Sequence, residues 1–339
     1  MRAAVLPRHG GPDVFEIHER PEPSLGPGRV RVRVWAAGIN FADLMARQGL
    51  YPDAPPLPAV LGYEVAGEVE EVGEGVEEFA AGDRVAGWCR FGGYAEVVSA
   101  HERDIVALPD AWSFEEGAAF PVVYGTAYAA LVSFGNLHAG ERLLIQAAAG
   151  GVGIAATQVG KLLGAEIYGT ASASKHDAIR EFGVQQPIDY RTQDFAEQVR
   201  RIAGEESPLD VIVDGIGAAS WKKGYGLLRP GGRLVMIGAA SFVTGEKRNL
   251  AKAAANLARV PRFNPIKMAT ESRSVIGLNM LRLWDARRGL DEYTEPLLQW
   301  VDQGLLRPIV SETFPLERVA DAHRYMGERK NVGKVVLTV

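Results

Sequence analysis

The segment Leu143-Leu144-Ile145-Gln146-Ala147-Ala148-Ala149-Gly150-Gly151-Val152-Gly153 passes from an apolar run through small residues into a helical pattern. Small residues at such a turn do chemistry through the backbone. They let the main chain approach a ligand closely, and the N–H groups that open a helix are ready donors to an anion. The order strand, glycine-rich turn, helix is that of a dinucleotide fingerprint, with Ala148 where the first glycine stands, then Gly150 and Gly153. Gly150 would admit a pyrophosphate against the backbone of Gly151 and Val152, and Gly153 would let the helix pack closely on its strand. A glycine cluster alone predicts only a tight turn; its place between strand and helix predicts dinucleotide binding.

The end of the next strand, expected at Glu166 to Thr170, selects the nicotinamide. An acid there would hold a ribose 2′-hydroxyl. This chain reads Tyr168-Gly169-Thr170-Ala171-Ser172-Ala173-Ser174-Lys175, with hydroxyls and an ammonium and no carboxylate. Ser172 and Lys175 suit a 2′-phosphate, so NADP(H) is expected. Ser172 or Ser174 can also cap the helix that follows.

The elements that must position these groups come from a chain of 339 residues, long enough for two domains. A net charge of -5 argues against nucleic acid as a partner, and one cysteine, Cys89, excludes an intrachain disulfide framework and a multi-cysteine metal site. Met1-Arg2-Ala3-Ala4-Val5 runs into a strand with no signal-like segment. The apolar stretch Gly117 to Leu131, broken by Pro121 and Gly125, falls short of the roughly 20 residues of a membrane span. A cytoplasmic protein without integral membrane contact is expected.

Arg29-Val30-Arg31-Val32-Arg33-Val34-Trp35 alternates basic and apolar residues, as a half-buried strand does. Glu64 to Val72, Arg84 to Ala86 and Tyr94 to Val98 read as further strands between turn clusters, so the first part is a β-rich unit with few helices. Ser113 and Glu116 form a capping-box pattern. Strands and helices then alternate: Arg142 to Ala147, a helix from Val152 to Leu163, Glu166 to Thr170, a helix from Lys175 to Phe182, and Asp210 to Asp214. A further strand, Gly232 to Gly238, follows a helix ending at Arg229-Pro230-Gly231. That rhythm predicts an α/β doubly wound parallel sheet. Residues 241–270 form a helix-prone insertion, Ser274 to Met280 resumes as a strand, and the tail Val332 to Val339 is a strand expected to rejoin the first domain. The domains are expected at 1–122 with 282–339, and at 123–281.

Further landmarks are Ala37-Gly38-Ile39-Asn40-Phe41-Ala42-Asp43, Gly49-Leu50-Tyr51-Pro52, Leu61-Gly62-Tyr63-Glu64-Val65-Ala66-Gly67, Gly82-Asp83-Arg84-Val85, Gly125-Thr126-Ala127-Tyr128 and the closing Gly333-Lys334. With the glycine-rich turn, they make the whole chain resemble the medium-chain dehydrogenase/reductase superfamily, and more narrowly its zinc-free quinone oxidoreductases. Phe242-Val243-Thr244-Gly245-Glu246, Asn264-Pro265-Ile266-Lys267 and Lys175-His176 are similar to the branch of vesicle amine transport protein homologues. The resemblance implies a GroES-like catalytic domain joined to a Rossmann domain, and NADPH-dependent reduction of quinones or α,β-unsaturated carbonyls. The zinc alcohol dehydrogenases carry a cysteine where this chain reads Ala37 to Asn40, and His-Glu where it reads Tyr63-Glu64. The six histidines are scattered, so no metal is expected. Glu64 is then a buried carboxylate held by hydrogen bonds or an arginine.

Asn40 and Tyr51 match positions lining the family's cleft and are the expected donors to a substrate oxyanion, with Tyr63 a weaker candidate. Asp43 orients a neighbour or caps a helix. The resemblance also implies Thr126, Tyr190, Asn331 and Lys334 as cofactor contacts beside Ala148, Gly150, Gly151, Val152, Gly153, Thr170, Ser172 and Lys175. Two other readings stay open. One is an enoyl-thioester reductase, whose CoA contacts Lys247, Arg248, Lys252, Arg259, Arg262 and Lys267 would supply. The other is an NADPH-binding protein of low turnover. An apolar strand at 274–280 left at a sheet edge must be covered, which predicts a homodimer through it.

Overall fold

The strand Arg29–Ile39 alternates buried and exposed residues as far as Trp35, and Ala36 to Ile39 are all buried. The change marks where the sheet becomes covered on both faces, and small residues (Ala36, Ala37, Gly38) take over there. The computed structural model describes residues 1–243, 245–287, 289 and 291–339. Thr244 of the motif at 242–246 lies outside them. The chain divides into two compact units: Met1–Gly125 with Val243–Arg248 and Leu281–Val339, and Thr126–Phe242 with Asn249–Met280.

In the first unit Arg29–Ile39 is the spine. It pairs antiparallel with Glu64–Val72, Val97–His101 and Lys334–Thr338, so the C-terminal strand does rejoin this sheet. Arg84–Trp88, Ile105–Ala107 and Val310–Pro315 complete the sheet among the described residues. Its core is aliphatic on one face (Val30, Val32, Val34, Val65, Val85, Leu337) and alanine-rich on the other (Ala36, Ala66, Ala86, Ala118, Ala119). Alanines let the short helix Phe114–Gly117 lie close to the sheet, and its Ser113–Glu116 capping box is formed as expected. The expected strand at 94–98 is displaced to Val97–His101. Tyr94 and Ala95 instead hydrogen-bond outward from the ladder, Tyr94 to Leu61 and Ala95 through a bridge to Ala3.

In the second unit the described strands form one parallel sheet in the order Gln186–Asp189, Glu166–Ala171, Arg142–Ile145, Leu209–Asp214, Leu228–Met236, Ser274–Gly277. Strand order reverses at Arg142–Ile145, so the turn after Ile145 sits at a topological switch point, where ligands bind in such sheets. Two expectations are corrected. The helix before the fifth strand ends at Tyr225, and the strand starts at Leu228 instead of Gly232, because Leu228 is wholly buried opposite Leu209. A register shift and the positive φ of Gly231 (86°) absorb Pro230-Gly231 into the strand as an irregularity. The last strand stops at Gly277, not Met280, since Met280 opens the helix Met280–Arg287. The 241–270 insertion holds two helices, Leu250–Ala258 and Pro265–Glu271, capped by Asn249 and Asn264. Among the described residues no helix is long and apolar enough to cross a membrane.

Candidate functional site

Sheet register in the first unit brings three distant segments together. Val335 pairs with Ile39 and Val65 with Ala37, so Lys334 falls beside Asn40, and Glu64 falls beside Gly38. Glu64 has no exposure, Lys334 3% and Asn40 9%. The Lys334 ammonium donates to Glu64 Oε1 and to Asn40 Oδ1, both at 2.5 Å. Asn40 Nδ2 donates to the same Glu64 oxygen at 2.9 Å, and the backbone N–H of Val122 reaches Glu64 Oε2 at 2.8 Å. Cation and anion thus fix the orientation of the Asn40 amide, oxygen to Lys334 and nitrogen to Glu64. Room for the carboxylate comes from Gly38, where a Cβ would lie 2.7 Å from Glu64 Oε1 and 2.4 Å from the Ala118 carbonyl. Glu64 is therefore held by a lysine, not an arginine, and Lys334 spends its ammonium inside the unit. The approach of Lys334 is shaped by Gly333 (φ 98°), whose carbonyl accepts from Asn331 Nδ2 at 2.7 Å.

Tyr51 and Tyr63 form a second pair, ring centroids 6.4 Å apart and nearly perpendicular, with Phe91 4.8 Å from Tyr63. Burial pushes the Tyr51 phenol up to about 12, with the Asp53 charge adding to it. Burial also drives Tyr63 far above the ordinary phenol range, followed by the charge of Asp43. Both are neutral hydrogen-bond donors at any working pH, and poor acids.

In the second unit the turn after Ile145 is held from its neighbour strand. Thr170 Oγ1 accepts from the Ala147 N–H at 3.1 Å and donates to Gln146 Oε1 at 2.7 Å, while the Thr170 carbonyl accepts from Ala148 N–H at 2.9 Å. Thr170 and Ala148 thus shape the turn: Ala148 is wholly buried, and a Cβ at Gly169 would come within 2.9 Å of its methyl. The left-handed residue of the turn is Ala147 (φ 56°), not Ala148. Gly150 is the N-cap of the helix Gly151–Leu162 and offers no side-chain cap. The N–H groups of Gly151, Val152 and Gly153 therefore have no partner within the helix. At Gly153 a Cβ would lie 2.4 Å from the Ala147 carbonyl, so only glycine lets helix and turn approach. An uncapped helix start, a backbone cradle without side chains and a switch-point position fit a dinucleotide pyrophosphate. Gln146, whose signal in the sequence was only its place beside the turn, has a buried Nε2 with no partner.

At the end of Glu166–Ala171, Ser172 is buried and its hydroxyl lies 3.3 Å from that of Ser174. Neither caps the helix His176–Phe182, and Lys175, half-buried, precedes it. Asp189, across the ladder from Ala171, is held below the ordinary carboxylate range by Thr192 and the Arg191 N–H, so its charge serves its own turn. Tyr190 is 37% exposed beside it, and Thr126 is buried in the helix Pro121–Tyr128.

Zinc does not fit the donor set. Among the described residues no group of three His, Cys, Asp or Glu side chains is placed to hold a metal ion, Glu64 already holds an ammonium, and burial pushes the Cys89 thiol up.

Two family models match the chain. The family described as alcohol dehydrogenase GroES-like domain matches residues 26–110, and that described as zinc-binding dehydrogenase matches 182–337. The synaptic vesicle membrane protein VAT-1 homolog of Rattus norvegicus is 42% identical over 99% of this chain and 84% of its own length. The crystal structure of Escherichia coli quinone oxidoreductase complexed with NADPH is 30% identical with a TM-score of 0.86, covering 100% of both chains. That of CurK enoyl reductase is 29% identical with a TM-score of 0.84, covering 99% of this chain and 98% of the other. A GroES-like sheet domain joined to a Rossmann-like parallel-sheet domain, with this identity along nearly the whole chain, places the protein in the medium-chain dehydrogenase/reductase superfamily of oxidoreductases, among the VAT-1 homologues.

Proposed function

We propose that the protein is an NADPH-dependent, zinc-independent reductase of quinones and α,β-unsaturated carbonyls. The observation that carries this reading is the Asn40 amide clamped between Lys334 and Glu64. When bound, the nicotinamide supplies the hydride. Reduction of a conjugated carbonyl then leaves negative charge on oxygen, and an enzyme stabilises it with donors already in place. Asn40 meets that need without a metal. One N–H is spent on Glu64, the second is assigned to the substrate oxygen, and the Lys334 cation on Oδ1 draws electron density from the amide and strengthens it as a donor. Tyr51 adds a neutral phenol hydrogen bond. Gly150 to Gly153 hold the pyrophosphate, and Ser172 and Lys175 take the 2′-phosphate. A quinone oxidoreductase of similar structure complexed with NADPH supports the cofactor choice.

The enoyl-thioester reading has its own support in the CurK enoyl reductase likeness and in the exposure of Lys247, Arg248, Lys252, Arg259, Arg262 and Lys267. NADPH oxidation measured against quinones, enones and enoyl-CoAs separates the two. The first reading expects kcat/KM for a quinone to exceed that for any enoyl-CoA at least tenfold, and the reverse order overturns it.

The same proposal includes a cytoplasmic homodimer. Ser274–Gly277 lies at the end of the sheet order, with Val275 and Ile276 half-buried, and an antiparallel copy of itself would continue the sheet. Light scattering should give twice the chain mass at micromolar concentration, and Ile276→Pro should give monomer or aggregate; a monomeric wild type rejects it.

A further inference from the structure

The carboxylate of Asp43 has no exposure, yet it joins two segments that carry the candidate donors. Its Oδ2 accepts the backbone N–H of Asn40 at 2.8 Å, at the start of the helix Phe41–Arg47. Its Oδ1 accepts the backbone N–H of Gly62 at 3.3 Å, one residue before Tyr63 and two before Glu64. Gly62 is in the left-handed region (φ 96°), and a Cβ there would come within 2.6 Å of the Tyr94 ring, so this turn has little freedom to shift. Asn40 is thus held twice, by Glu64 and Lys334 through its side chain and by Asp43 through its backbone.

We infer that Asp43 is a positioning residue whose carboxylate locks the backbone of Asn40 to the Gly62 turn, and that protonation opens this lock and misaligns the Asn40 donor. The inference rests on the reading of Asn40 as the donor to substrate oxygen. A carboxylate is a stronger acceptor from N–H groups than its acid, and only the ionised form can accept at both oxygens without placing a proton against one donor. Burial raises Asp43 to about 6, although the Asn40 N–H, then the Tyr94 hydroxyl and, more weakly, the Lys334 charge and the Gly62 N–H pull the other way. The ionisable groups that face it are Tyr94 and Cys89 from the segment after Arg84–Trp88, Tyr51, Tyr63, and Lys334 from the C-terminal strand. Burial pushes all three tyrosines and the thiol upward, which leaves Asp43 as the acid of this cluster that titrates near neutrality.

The sign of the effect on folding is opposite to that on turnover. Because the folded value of about 6 stands above the ordinary 3.8, the stability linked to this group is complete below pH 3.8 and is lost as pH rises toward 6. Turnover, by contrast, needs the ionised form and rises over the same range. A residue with a purely structural role would move both together.

The test uses full-length protein, NADPH and 9,10-phenanthrenequinone between pH 5 and 8. Wild type should lose kcat about tenfold per pH unit below a midpoint near 6. Asp43→Asn should lose kcat at least tenfold at pH 7.5 with an unchanged KM for NADPH, and its profile should lack the acid limb. In wild-type protein labelled with nitrogen-15, the amide signals of Asn40 and Gly62 should titrate together with that midpoint, whether or not the quinone is turned over. A variant that keeps the acid limb, or amides that do not titrate together near pH 6, overturns the inference. If the amides titrate as stated while no acceptor oxidises NADPH, the lock stands and the functional reading falls.

Discussion

Asn40, Glu64 and Lys334 satisfy one another through a neutral amide, an anion and a cation drawn from positions up to 294 residues apart. The turn at 146–153 does the reverse: adjacent residues expose backbone N–H groups, and side chains serve only to shape it. The first centre is closed and specified by charge, the second open and specified by the absence of side chains. A closed ionic centre is vulnerable to losing one member, because the partner is left buried and unpaired. An open backbone cradle tolerates peripheral change, since no single side chain carries it.

The sharpest way to break that contrast is Lys334→Met. It strands the Glu64 carboxylate without its cation and should cost about 3–5 kcal/mol of stability, as breaking a buried pair by one partner does. Adding Glu64→Gln removes the stranded charge and should recover most of the loss. Urea unfolding of the single and double variants measures both. A loss below about 1 kcal/mol for Lys334→Met would mean the pair is not interlocked.

The same contrast explains what was legible in the sequence. The turn and its helix are contiguous, so the spacing of Ala148, Gly150 and Gly153 exposes them directly, and the hydroxyls of Thr170 and Ser172 are read off the end of the next strand. The closed centre depends on strand register, which couples positions 40, 64 and 334 only once Arg29–Ile39 has paired with both neighbours. No local pattern encodes that coupling. Family resemblance singled out Asn40 and Lys334 without joining them, and Glu64 was legible only as a buried carboxylate held by hydrogen bonds or an arginine, with no hint that Lys334 is its cation. The one local trace was Gly38, which must lack a side chain to admit Glu64. Boundaries failed where tertiary packing overrode punctuation: Pro230-Gly231 reads as a break, but burial of Leu228 carries the strand through it.

A smaller effect is expected at the open centre. Charge-assisted hydrogen bonds contribute about 1.5–3 kcal/mol each, so Lys175→Ala should weaken NADPH by one to two decades and leave NADH nearly unchanged. Titration of each cofactor by fluorescence measures this. Equal losses for both would show that Lys175 supports the start of the helix His176–Phe182 instead of reading the 2′-phosphate.

The smallest effect belongs to Tyr51, and it asks whether the first unit contributes only fixed donors or also a proton. A phenol raised to about 12 by burial is neutral throughout the working range. Its folded value lies above the ordinary 10, so the stability it contributes is complete below pH 10 and is lost only as pH rises toward 12. Tyr51→Phe removes one neutral hydrogen bond and retains the ring that packs on Tyr63. The expected loss is about 0.5–1.5 kcal/mol of transition-state stabilisation, a two- to twelvefold fall in kcat/KM for a quinone. The wild-type rate should show no alkaline limb up to pH 10, because the donor neither ionises there nor needs to surrender its proton. A fall of three decades in the variant, or a wild-type limb near pH 9 that the variant lacks, would make Tyr51 an acid catalyst, and the first unit would then supply chemistry beyond a rigid, charge-locked amide.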